Sequence, residues 1–203
     1  MTDQLRTDFS PTLIDAAGRF TGYAAVFGNV DSHGDVIERG AFAASLQAWQ
    51  AKGRMPPLRL MHGTSGNPFQ YDDLPVGKWT VIREDARGLH VEGRLLALDT
   101  DLGRRLHALM AANVFDGLSI GYRTKRTAAG GGRVKRRLVE VELTEISLVD
   151  DPSNDAARVA PLSAYDAAAD RLRAALAEAG RAAPAPALDG AYDKLKAALR
   201  NLA

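Results

Sequence analysis

The chain has 203 residues, a net charge of +1 and no cysteine. That length suffices for one domain with a buried core plus appendages. The charge does not mark the chain as a nucleic-acid or membrane binder, and the missing thiols exclude a disulfide framework, a thiolate metal site and a cysteine nucleophile. The N-terminal MTDQLRTDFS is polar, and no run of about 20 apolar residues occurs anywhere, so a soluble intracellular protein without a signal peptide or membrane span is expected.

The first element expected is a strand over Phe20–Asn29, FTGYAAVFGN, rich in small and aromatic residues. It runs into a loop holding Asp31, His33 and Asp35. From Phe42 the apolar positions Phe42, Leu46 and Trp49 follow a helical period, and Gly53 is placed to stop that helix. PLRLMH, residues 57–62, reads as a short strand in which Leu58, Leu60 and His62 share a parity, so His62 is expected to face the way the leucines do. Gly63–Pro75 is a polar loop. Val76–Ile82 and Leu89–Leu95, joined by a turn at residues 84–88, read as an antiparallel hairpin, with Leu89, Val91 and Leu95 alternating with His90, Glu92 and Arg94.

A helix capped by Asp99 or Thr100 follows, with Leu102, Leu106, Leu109, Met110 and Val114 as its apolar stripe and His107 off it, facing solvent. Next comes FDGLSIGY, residues 115–122. As a strand it points Leu118, Ile120 and Tyr122 one way and Ser119 the other, flanked on its own face by Gly117 and Gly121. That leaves open space above a lone hydroxyl, although serine and glycine also sit in strands where layers merely pack closely. The Gly-centred basic run RTKRTAAGGGRVKRR is expected to be a mobile hairpin loop, either plainly solvated or a docking patch for an acidic partner.

LVEVELTEISLV, residues 138–149, is the strongest strand signal. Strict alternation places Glu145 with Val139, Val141, Leu143, Ser147 and Val149, and Glu140 and Glu142 opposite. A carboxylate on an apolar face needs a partner, and a histidine is one candidate; a strand-end carboxylate reaching solvent or an arginine is the other reading. A turn over residues 150–154 closes the sheet region. The domain is expected to span residues 1–160. The Ala-rich residues 161–203 form a helical tail, with one helix ending near Gly180, the linker RAAPAPALDG and a last helix from Ala191.

A serine hydrolase needs a base for its hydroxyl proton and a group to orient that base. Of four histidines, His62 alone shares a face with core residues at a strand end beside a loop. Ser119, His62 and Glu145 thus lie on separate strands able to converge on one sheet. The rival set is Asp31, His33 and Asp35, whose Asp-x-His-x-Asp spacing suits a divalent cation, although such residues also simply make turns.

In order, the blocks GYAAVFGNVDSHGDVIERGAF, LMHG, GLHVEGRL, GLSIGY and LTEISLVDDPSNDAA resemble the signatures of the HK97-type phage prohead (capsid maturation) serine proteases. The resemblance covers roughly residues 20–160 and implies an α+β fold related to the herpesvirus assembly proteases: a mainly antiparallel, β-barrel-like core with surrounding helices. It implies a serine endopeptidase with Ser119 as nucleophile, His62 as general base and Glu145 as the orienting third member, where the herpesvirus relatives use a second histidine. No cofactor and no metal are implied. The implied substrates are the scaffolding segment of a major capsid protein and the protease itself, inside an assembling prohead in the host bacterial cytoplasm, with other prohead components as partners and a homodimer left open. Neither nucleic acid nor membrane is an expected partner. The tail would be a self-cleaved or scaffold-binding segment. The alternative is a non-catalytic internal scaffold of the same fold.

Overall fold

The computed structural model describes residues 13–63 and 74–162. Of the expected tail, residues 161–203, all but the first two residues lie outside the described residues, as does most of the Gly63–Pro75 loop. Within them the elements are β1 (Arg19–Val26), β2 (Asp35–Ile37), α1 (Ala43–Ala51), β3 (Leu58–Leu60), β4 (Gly77–Glu84), β5 (Gly88–Leu95), α2 (Asp101–Ala111), β6 (Gly117–Gly131), β7 (Val134–Val149) and β8 (Val159–Ala160).

The architecture is mixed α+β with a mostly sheet core. The strands form one sheet in the order β2-β7-β3-β4-β5-β1-β8, with β6 also paired to β7. The sheet is mainly antiparallel, as expected, with β2 and β3 both running parallel to β7. One expectation is corrected here. The sheet is not closed into a barrel: where β8 approaches β6, only an isolated bridge between Gly117 and Arg158 and a few backbone hydrogen bonds link them.

β4 and β5 form the expected antiparallel hairpin. On β5, Leu89, Val91 and Leu95 are fully buried, and Arg94 between them is exposed, the alternation that burial of one sheet face imposes. Phe42, Leu58, Met110, Leu118, Leu138, Leu143, Ile146 and Leu148 are among the other fully buried core residues, each contributing about 1.5–3 kcal/mol by leaving water.

α1 ends where expected. Gly53 adopts a left-handed φ of 61° and donates its N–H to Gln50 O at 2.9 Å, a glycine stop. In α2 the cap is Thr100, whose hydroxyl accepts from Gly103 N–H at 3.1 Å. The buried stripe differs from the expected one. It is Gly103, Leu106 and Met110, while Leu102 and Val114 are exposed. His107 is not free in solvent either, since its Nε2 lies 2.9 Å from Asp15 O.

The basic run is also corrected. Residues 123–137 are not a loop but the continuation of β6 and β7 into a long antiparallel ribbon. Several of its charges are internally paired, Lys125 with Glu142 at 2.6 Å and Arg126 with Glu140 at 3.6 Å. Arg136 grips the buried Asp35 with two bonds, Nε to Oδ1 at 2.8 Å and Nη2 to Oδ2 at 2.7 Å. This bond holds the Asp35 carboxyl below its ordinary range. A depressed carboxylate adds stability that is full above the unfolded value of about 3.9 and is lost as pH falls through the lower folded value. Urea midpoints measured from pH 6 to pH 2 should therefore fall on the acid side, and Asp35→Asn should flatten that slope while lowering the midpoint at pH 6.

Candidate active site

β7 is the strand on which the site is built. From Gly117 to Gly121 on β6 it pairs residue for residue: Leu118 with Leu148, Ser119 with Ser147, Ile120 with Ile146 and Gly121 with Glu145. The next pair is Tyr122 with Leu143, which leaves Thr144 as an extra residue on β7. Such a bulge reverses the alternation. Leu118, Ile120, Tyr122, Leu143, Ile146 and Leu148 share the core face, and Ser119, Gly121, Glu145 and Ser147 share the opposite one. The expectation for Ser119 holds. That for Glu145 does not: it stands back to back with Leu143, on the polar face, although it is still only 7% exposed.

The bare glycines beside Ser119 are not vacant. A Cβ on Gly121 would lie 2.8 Å from Glu145 Cγ and 2.9 Å from Cδ. Gly121 is therefore the reason a glutamate side chain can lie across β6 at that point. A Cβ on Gly117 would meet Pro152 Cδ at 2.9 Å.

His62 arrives from the end of β3, but not by strand alternation. After Leu60 the chain turns sharply. Met61 and His62 take left-handed φ values of 49° and 63°, conformations that cost an L-residue and gather at functional sites. The turn leaves the His62 side chain 38% exposed rather than facing inward with Leu58. It also brings His62 Nδ1 to 2.7 Å from Glu145 Oε1. A carboxylate only accepts, so Nδ1 carries the proton and Nε2 is left as the basic atom. Glu145 Oε2 accepts the Ser147 hydroxyl at 2.5 Å, and the same hydroxyl accepts the His62 backbone N–H at 3.2 Å. The hydrogen bond to Glu145 raises the His62 pKa above 6.5, against the opposing pull of burial.

His62 and Ser119 line one cavity of about 170 Å³ with Ala24, Ala25, Ile37 and Tyr122. No hydrogen bond joins Ser119 to His62 among the described residues; nucleophile and base contacts are often loose before substrate binds. Asp31, His33, Ser153 and Asn154 line the same cavity. The Asp31 Oδ1 atom accepts the N–H groups of His33 and Asp35 at 2.9 and 2.8 Å, and Asp35 is held by Arg136. The loop's carboxylates are thus spent on its own turn and on an arginine, and no cluster arranged for a metal occurs among the described residues. His33 Nε2 lies 3.3 Å from Ser153 Oγ, a second Ser–His pair at the cavity, with no carboxylate bonded to the imidazole among the described residues.

Sequence reasoning missed Ser147 and Ser153. Ser147 was visible only as a polar residue inside an apolar strand, two places after Glu145; nothing local distinguished Ser153 from an ordinary turn serine.

The family model described as Caudovirus prohead serine protease matches residues 9–171. The prohead protease of Enterobacteria phage HK97 is 34% identical over 152 residues, covering 73% of this chain and 62% of that protein. The chain therefore spans 62% of the length of that relative. Among solved structures, the bacteriophage T4 capsid assembly protease aligns at a TM-score of 0.48 and 13% identity, over 64% of this chain and 80% of its own. The varicella-zoster virus protease aligns at 0.31 and 15%, over 63% and 62%.

Proposed function

This chain belongs to the Caudovirus prohead serine protease family, and we propose that it is a serine endopeptidase with Ser119 as nucleophile, His62 as general base and Glu145 as the group that orients the base. The observation that carries the assignment is the 2.7 Å contact between His62 Nδ1 and Glu145 Oε1 at the cavity that Ser119 also lines. Ser119 Oγ attacks the scissile carbonyl carbon while its proton passes to His62 Nε2. Glu145 stabilises the imidazolium through Nδ1–H. Collapse of the tetrahedral intermediate breaks the C–N bond, and His62 gives its proton to the departing amine. Water, deprotonated by His62 in turn, hydrolyses the ester on Ser119. The substrate proposed is the scaffolding segment of a major capsid protein, cleaved within an assembling prohead, with the chain itself as a second substrate. The domain proposed for this chemistry is residues 1–160. A metal-dependent reading of the Asp31 loop is not favoured, because its carboxylates are already engaged.

A biotinylated fluorophosphonate tests the assignment without knowledge of the cleavage sequence. The expected result is one adduct per chain, mapped by mass spectrometry to Ser119. An adduct on Ser153 would transfer the role to the His33 pair, and no adduct at any serine would favour a non-catalytic scaffold. The rate of labelling should rise with pH through a value above 6.5, because the base must be neutral and Glu145 holds its proton on. The linkage to folding runs the other way: a raised histidine pKa adds stability that is full below the unfolded value and is lost as pH rises through the folded one. The His62–Glu145 pair is thus tightest where the enzyme is least active. A labelling rate flat from pH 5 to 9 would exclude His62 as the base.

A further inference from the structure

We infer that Ser147 is a positioning residue: its buried hydroxyl holds the Glu145 carboxylate and the His62 backbone in a single geometry. The inference rests on the assignment of His62 and Glu145 to the reaction. Ser147 is 0% exposed, and both hydrogen-bonding capacities of its Oγ are used. It donates to Glu145 Oε2 at 2.5 Å and accepts from His62 N–H at 3.2 Å. The two carboxylate oxygens are thereby divided, Oε2 to Ser147 and Oε1 to the imidazole. Each bond limits a different freedom. The first fixes rotation of the Glu145 carboxylate about its last torsion, which is otherwise broad. The second pins a residue held at a left-handed φ of 63°, a conformation that relaxes unless its surroundings over-determine it.

The hydroxyl is itself fixed by its place in the sheet. Ser147 is paired to Ser119 on one side and to Arg59 of β3 on the other, and the neighbouring pairs Ile146–Leu58 and Leu148–Leu60 continue the parallel ladder. Ile146 and Leu148 are fully buried. Ser147 therefore sits on a stretch of β7 paired on both sides, directly across from the nucleophile, and transmits that rigidity to the base and its orienting group. A serine placed only to fill space would make neither bond.

The test uses the full chain, a fluorophosphonate probe and the variants Ser147→Ala, Ser147→Cys and Ser147→Thr. Expected for Ser147→Ala is an unchanged final stoichiometry at Ser119, a maximal labelling rate lowered about tenfold or more, the scale of one lost hydrogen bond to a charged group, and an apparent probe affinity within about twofold of wild type. Ser147→Thr, which keeps the hydroxyl, should recover most of the rate. Should Ser147→Ala fail to fold, Ser147→Cys keeps the volume with a weaker donor and should show the same loss of rate at full stoichiometry. A wild-type maximal rate in the alanine or cysteine variant overturns the inference, and so does a lowered stoichiometry with an unchanged rate per labelled site, which marks a purely structural role. If wild-type chain is not labelled at Ser119, the catalytic assignment falls and takes this inference with it; if wild type is labelled and the Ser147 variants match it, only the inference falls.

Discussion

Co-expressed with its cognate capsid protein, the Ser119→Ala variant is expected to leave that protein's N-terminal segment untrimmed, and wild type is expected to remove it. The effect should be on the order of 10⁴-fold or more, because without the hydroxyl no acyl-enzyme can form, and only binding and oxyanion stabilisation remain. The variant should fold normally. Ser119 faces away from Leu118 and Ile120, so its truncation removes no core packing, and no hydrogen bond to it is lost among the described residues. Intact mass of both proteins reads the result, with Ser153→Ala as the matched control at the same cavity. Equal trimming by wild type and Ser119→Ala would return Ser119 to a packing role. Loss of trimming in Ser153→Ala alone would move the nucleophile to the His33 pair. Particles assembling untrimmed with wild type would support the scaffold alternative.

Glu145→Gln should cost on the order of 10³-fold in the maximal rate with little change in melting temperature. The amide has the size of the carboxylate, so it fits across Gly121 and can still accept the Ser147 hydroxyl. Two things are lost. A neutral group no longer stabilises the imidazolium, and an amide N–H turned toward His62 Nδ1 selects the tautomer whose Nε2 carries a proton and cannot serve as base. His62 should accordingly titrate lower than in wild type, since its hydrogen bond to Glu145 is the largest cause of its raised pKa. Single-turnover labelling at Ser119 across pH 5–9 measures both effects. A rate within about threefold of wild type would remove Glu145 from the orienting role and leave a Ser–His dyad. Glu145→Ala is a poorer test, because it vacates the space over Gly121 and strips the buried Ser147 hydroxyl of its acceptor, so that lost rate and lost stability are mixed.

The local pattern of the chain determined the strands that carry the site and the kind of chemistry they hold. Period-two alternation in Leu89–Leu95 and GLSIGY was legible because one face of each is buried by the core, and the lone Ser119 between Leu118 and Ile120 stood out for that reason. The Gly53 stop and the Thr100 cap were legible because each satisfies backbone groups within a few residues of itself. What alternation could not reveal was any place where the chain departs from it. The extra residue at Thr144 turns Glu145 to the opposite face from Leu143, and no local preference of LTEIS requires a bulge there; it is set by the register against Gly121 and Tyr122 on another strand. The left-handed turn at Met61 and His62 likewise exists only because contacts from β7 offset its cost, so the strand pattern of PLRLMH pointed the histidine the wrong way. The basic run looked like a loop because its residues are charged, yet several of its charges find partners on the facing strand, and others on β2 and just after it, at Asp35 and Glu38. Ser119, His62 and Glu145 could thus be chosen by residue type and position along the chain, but their convergence on one cavity, and the Ser147 hydroxyl that ties two of them together, depend on cross-strand register, a long-range property that no short stretch of sequence encodes.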